Sequence, residues 1–108
     1  AVFEPTFQKH PKTPCGGGQL HVTARETFAP VIEGAALIRE CVGLAPDQFQ
    51  WRAGPYEYEH DKMPIDILAG SPQLREQVEA QVPVAEIAAS WTQGVADFEA
   101  LRAPYLLY

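Results

Sequence analysis

Apolar residues recur at intervals of three and four over the last quarter of the chain. Val84, Ile87, Trp91, Val95, Phe98 and Leu101 mark one face of a helix from about Val84 to Ala103, which Pro104 stops. A second stripe, Val31, Ala35, Ile38 and Val42, predicts a helix from Pro30 to about Val42. Leu37 and Cys41 widen that stripe, Pro30 suits the first helical position, and Gly43 is placed to cap the C-terminal end. Ser71 followed by Pro72 predicts the start of a third helix, reaching about Ala80.

Elsewhere the pattern shortens to period two or breaks up. Gln19-Leu20-His21-Val22-Thr23 alternates polar and apolar and predicts a half-buried strand with Leu20 and Val22 inward. Val2 to Gln8 reads as an extended segment that Pro5 confines to an edge. Phe49 to Ala53 and Ile65 to Leu68 read as short strands, the second ending at Ala69-Gly70. Thr23-Ala24-Arg25-Glu26 fits a capping box opening a short first turn. The proline- and glycine-rich residues 9–18 and the polar–aromatic residues 54–62 read as loops, and Tyr105 to Tyr108 as an apolar tail. Short strands interleaved irregularly with about three helices predict a single α+β domain with a small sheet, not a βαβ array.

Composition supports that picture and removes several function classes. Across 108 residues, 46% are hydrophobic and 20% charged, enough for one core without a metal or disulfide staple. The net charge is −6, and the eight Lys and Arg residues are scattered, so nucleic acid is not an expected partner. No apolar run is long enough to span a bilayer, so a membrane is not expected either, and the polar residues 1–15 do not read as a signal peptide. Cys15 and Cys41 lack metal-site spacing. Cys41 lies on the helical stripe and is expected to be buried as a small hydrophobe, unpaired with Cys15 in its loop.

His10, Cys15 and His21 could be considered for zinc or for a thiol–imidazole pair. Zinc sites favour tighter ligand pairs on rigid elements, and two of these three lie in a loop. The plainer account is a loop cysteine packed under glycines and a histidine bonded to backbone, so no metal is expected. Gly16-Gly17-Gly18 precedes a strand instead of following one, which does not fit a phosphate-binding loop. Positive φ or a close backbone approach explains these glycines better. Tyr56-Glu57-Tyr58-Glu59-His60-Asp61 is the most distinctive stretch. Paired carboxylates serve glycoside hydrolysis, and rings beside acids also suit sugar binding. The alternative is a loop with inward tyrosines and solvated acids. Asp66, flanked by Ile65 and Ile67, is expected to be paired or to cap a turn. Trp91 is expected in the core.

Several stretches together resemble the C-terminal domain of the NamZ-type exo-β-N-acetylmuramidases, also known as domain of unknown function 1343. They are Pro5-Thr6-Phe7-Gln8-Lys9-His10, Cys15-Gly16-Gly17, Gln19-Leu20-His21-Val22-Thr23, Tyr56-Glu57-Tyr58-Glu59, Pro64-Ile65-Asp66-Ile67-Leu68-Ala69-Gly70, Trp91, and the ending Arg102 to Tyr108. The resemblance covers nearly the whole chain in order, departing at Gly18, where a small apolar residue is expected. It implies a two-domain bacterial glycosidase, periplasmic or secreted, releasing N-acetylmuramic acid from peptidoglycan fragments. Its N-terminal domain carries the catalytic acid. This chain would be the accessory C-terminal domain, inactive alone, without catalytic residues, cofactor or metal of its own. Its expected partners are the N-terminal catalytic domain and a muropeptide or saccharide. Substrate-contacting candidates are Gln8, Lys9, His21, Tyr56, Glu57 and Tyr58. The segments Phe7 to Cys15 and Tyr56 to Asp61 are expected on one side of the fold, with Lys9 meeting the muramic carboxylate. The alternative is an autonomous carbohydrate- or protein-binding module.

Overall fold

Proline and glycine placement sets the helix boundaries. In the computed structural model, which describes residues 1–107, Pro30 opens α1 (Pro30–Leu44) and Pro64 opens α2 (Pro64–Ala69). Pro72 and Pro83 stand just before α3 (Gln73–Glu79) and α4 (Val84–Arg102). Pro104 lies in the 3-10 turn Ala103–Tyr105 that ends α4. Each proline supplies a φ near the helical value where an amide hydrogen would have no intrahelical acceptor. Tyr108, the last residue of the expected tail, lies outside the described residues.

The α2 segment corrects the sequence reading, which expected a strand over Ile65 to Leu68. Four apolar-rich residues are too few for periodicity to separate strand from helix. The brackets decide. Met63 is extended, at φ −69° and ψ 138°, as a residue before proline must be. Gly70 closes the helix at φ +80°, donating its amide to the Ile67 carbonyl at 3.3 Å. Only glycine adopts that conformation without strain.

The sheet is two strands, β1 (Val2–Phe3) and β2 (Cys15–Gly16), antiparallel, with Val2 opposite Gly16 and Phe3 opposite Cys15. Gly17 answers the expected close approach: a Cβ there would stand 2.9 Å from the Phe3 ring. The expected strand at Gln19–Thr23 is irregular backbone, and so is Phe49 to Ala53. Among the described residues no strand lies beside Leu20 and Val22, and they stay exposed, at 62% and 46%. The Thr23–Glu26 box opens no helix; Thr27 Oγ1 instead donates to the Ala24 carbonyl at 3.4 Å in a turn. α3 starts one residue later than expected: Pro72 takes the cap position instead of the first helical one, and Ser71 Oγ accepts from the Gln73 amide at 3.3 Å in the turn before it. α1 runs one residue past Gly43, and Ala45 takes the cap position.

The result is a small α+β domain with four helices. Its core sits where α1, α3 and α4 meet, around Ala35, Val78 and Ile87, with Pro64 also buried. α1 turns inward along Ala35, Ile38, Arg39 and Val42, which leaves Leu37 and Cys41 outside. Cys41 is therefore exposed, not buried; it and Cys15 are free thiols. α4 buries Ile87 and half-buries Val84 and Trp91, but Val95, Phe98 and Leu101 face solvent. The chain is open in shape, with a radius of gyration of 17.1 Å, against about 13 Å for a compact domain of this length.

Candidate functional site

The turn at Tyr56 leads into one wall of a cleft, formed by Glu59, Asp61 and Lys62. Tyr56 and Glu59 exchange backbone hydrogen bonds at 3.0 and 3.1 Å, and Glu57 between them takes φ +53°. The turn leaves Tyr58 96% exposed. The Glu59 carboxylate folds back to accept from the Asp61 amide at 2.9 Å. That bond, with the nearby Lys62 charge, holds the Glu59 carboxyl below its usual value despite some desolvation. The Tyr56 ring is half-buried beneath the Arg52 guanidinium, 5.6 Å from its centroid.

α2 and the start of α3 form the opposite wall. The cleft between the walls has a volume of about 720 Å³. Glu59, Asp61, Lys62 and Ser71 offer polar groups to it, and Met63, Ile67 and Pro72 supply apolar surface. Asp66 and Arg75 form its floor as a forked ion pair, Nε to Oδ1 at 2.9 Å and Nη2 to Oδ2 at 3.0 Å. The hydrogen bond to Asp66, reinforced by the Asp66 and Glu79 charges, outweighs desolvation and raises the Arg75 pKa. Arg75 Nη1 also reaches Glu79 at 3.4 Å, and Glu79 accepts from Trp51 Nε1 at 2.8 Å. Phe49 stacks edge-on against Trp51 at 4.9 Å. A chain of contacts thus anchors residues 49–51 and α2 onto α3.

Chemically, this cleft sets hydrogen-bonding groups beside apolar surface, as binding sites do. A glycosidase acid needs a carboxyl whose pKa is raised toward neutrality. Glu59 is shifted the other way, and Asp66 is committed to Arg75. An apolar wall facing hydrogen-bonding groups matches a saccharide, which presents C–H faces and hydroxyls together.

The six residues singled out from sequence fall in three places. Tyr56, Glu57 and Tyr58 form the turn beside the cleft. His21 lines a separate shallow hollow with Val22, Phe28 and Glu33. Gln8 and Lys9 lie exposed in the loop between β1 and β2, Gln8 at φ +62°. No residue of 7–15 lines the cleft, and no hydrogen bond among the described residues joins that segment to the Tyr56 turn. Asp66 has the pairing its sequence position demanded. Lys62, Ser71 and Arg75 were not foreseen as cleft residues; only the isolated acid at Asp66, which requires a basic partner, pointed toward Arg75. Among the described residues no group of three or more His, Cys, Asp or Glu is gathered as for a metal ion. No helix of the described residues is long and apolar enough to cross a membrane.

Comparison with known proteins adds a family. The model described as "Exo-beta-N-acetylmuramidase NamZ, C-terminal" matches residues 1–108. The chain is 34% identical over 109 residues to the peptidoglycan beta-N-acetylmuramidase NamZ of Bacillus subtilis (strain 168), a match covering 100% of this chain. The chain spans about a quarter of that relative, 24% of its length. No solved structure matches.

Proposed function

The chain belongs to the family of NamZ C-terminal domains, and on that premise we propose that it is the accessory domain of a peptidoglycan-acting exo-β-N-acetylmuramidase. Its part in that enzyme is to bind saccharide or muropeptide while further polypeptide of the same protein supplies the catalytic acid. The cleft between the Tyr56 turn and α2 carries the reading: it offers sugar-matched surface, its Glu59 carboxyl is shifted away from a proton donor's range, and Asp66 is engaged by Arg75. Tyr58, Glu57, Asp61 and Ser71 are the proposed substrate contacts. Gln8 and Lys9 in the β1–β2 loop, and His21 in its own hollow, are proposed as further contacts that meet substrate only in the assembled enzyme. Tyr56 is reassigned to holding the turn.

The test is kinetic. Full-length enzyme carrying Asp61→Ala is expected to release N-acetylmuramic acid with raised KM and little change in kcat, because uniform binding is lost and not the acid. Residues 1–108 alone are expected to turn over no chromogenic muramic acid glycoside. Turnover by those residues alone, abolished by Glu59→Gln, overturns the reading.

A further inference from the structure

We propose that the outward stripe of α4 is a docking surface for further polypeptide of the same protein, an apolar patch with basic residues at its rim. The inference rests on the accessory-domain reading above and says where that domain is held. α4 is 19 residues long, yet every residue from Thr92 to Arg102 is exposed. Val95, Phe98 and Leu101 continue the line of Trp91 at 54%, 58% and 66% exposure. Helices in proteins persist mainly by packing an amphipathic face, and these three turns bury no residue. Polar residues flanking the same turns pair with one another. Gln93 Nε2 donates to Asp97 at 2.7 Å, and Arg102 pairs with Glu99 at 3.7 Å.

The stripe runs into a groove at its N-terminal end. Pro30, Val31, Ile32, Ala88 and Trp91 line it, with almost no polar surface. Trp91 and Val31 also line the adjoining hollow beside Leu68 and Leu74. The apolar surface is therefore continuous from α2 along α4.

Area and charge select the occupant. The chain exposes 8942 Å², where a monomer of its mass exposes about 6,000 Å². An interdomain contact covers roughly 600–1,500 Å², so the open surface is ample for one. A second copy is disfavoured because each chain carries −6. The relative in which this region is 24% of the length has three times as much polypeptide outside the matched part. Glu86 and Asp97 flank the stripe with no cation paired to either among the described residues, which calls for Lys or Arg at the partner's rim.

Hydrogen exchange on the full-length protein tests this. Amides of residues 92–102 are expected to exchange as slowly as those of residues 35–42 in α1. Val95→Asp with Phe98→Asp is expected to speed them by about tenfold or more while the α1 amides stay protected. Should the double variant not fold, a Leu101→Cys variant with a short bifunctional cross-linker gives the same answer. It is expected to link to residues outside 1–108. Fast exchange in the unmodified stripe, protection that vanishes on dilution, or cross-links only to residues 1–28 each overturns the proposal; the last two identify a second copy or the domain's own first segment. A protected stripe in a protein that releases no muramic acid sinks the functional reading and leaves the docking intact. An active enzyme with an unprotected stripe does the reverse.

Discussion

Arg39 and Gln81 hold each other by reciprocal hydrogen bonds. Arg39 Nη2 donates to the Gln81 carbonyl at 2.9 Å, and Gln81 Nε2 donates back to the Arg39 carbonyl at 3.1 Å. Arg39 Nε adds a bond to the Val82 carbonyl at 2.8 Å. The clip ties the middle of α1 to the turn between α3 and α4, where Gln81 sits at φ +55°. Gly43 makes room for it, since a Cβ there would stand 2.6 Å from Gln81 Oε1. With so few buried side chains, this polar clip does much of the joining that apolar packing does elsewhere.

Arg39→Ala is therefore expected to destabilise residues 1–108 by about 2–3 kcal/mol, because two part-buried carbonyls lose a charged donor. Arg39→Lys should recover less than half of that, since a single ammonium cannot reproduce the fork. Urea unfolding monitored by circular dichroism gives both values. Equal stability of all three proteins would show that the clip holds nothing.

Ile87 and Phe98 lie on one helical stripe but in different environments, 0% and 58% exposed. Ile87→Ala should cost about 2–5 kcal/mol through lost burial and a cavity. Phe98→Ala in residues 1–108 should change stability by less than about 0.5 kcal/mol, as exposed substitutions do. Thermal unfolding of the two variants decides the matter. A large cost at Phe98 would mean that the stripe is already covered within this chain.

Glu59 links the Tyr56 turn to pH. Its carboxyl is held below the ordinary value of 4.5 by the Asp61 amide and by Lys62. A depressed folded-state pKa stabilises the fold above the unfolded-state value, and that stability is lost as pH falls through the folded pKa. Unfolding free energy should fall with acidification below about 4.5, and Glu59→Gln should flatten that slope. Parallel pH profiles for the two proteins would remove Glu59 from the turn's support.

The two tyrosines should separate in kinetics. Tyr58, almost fully exposed, is free to face a pyranose, whereas Tyr56 lies beneath Arg52. In full-length enzyme Tyr58→Ala should raise KM by about fivefold, equivalent to ~1 kcal/mol of ring contact, with kcat unchanged. Tyr56→Ala should chiefly lower the unfolding midpoint. The reverse pattern would reassign the sugar platform to Tyr56.

Cys41 should alkylate faster than Cys15 under native conditions. It is exposed on α1, while Cys15 is half-buried and directs its thiol to the Thr13 carbonyl at 3.3 Å. Timed iodoacetamide labelling with peptide mapping checks the order.

Local chemistry was enough to read α1 and α4 and the helix that follows Ser71-Pro72. Stripes with a period of three to four and prolines at first positions act within a few residues, whatever the rest of the chain does. The pairing of Asp66 was legible for a similar reason: an ionised acid between two isoleucines requires a partner. Tertiary structure decided what local patterns leave open. Ile65 to Leu68 could be strand or helix by periodicity alone; its brackets at Pro64 and Gly70 make it a helix, and the Asp66–Arg75 pair fixes where that helix sits on α3. Gln19–Thr23 alternates as a strand should, but alternation shows only which residues could face a sheet. A strand also needs a neighbour to bond with, and among the described residues none lies beside it. The inward face of a helix follows the same logic. Cys41 shares a stripe with buried residues but looks outward, because the rotation of α1 is set by Arg39 reaching across to Gln81. The cleft is least visible from sequence: Glu59, Ser71 and Arg75 become neighbours only when a turn and two short helices fold against one another.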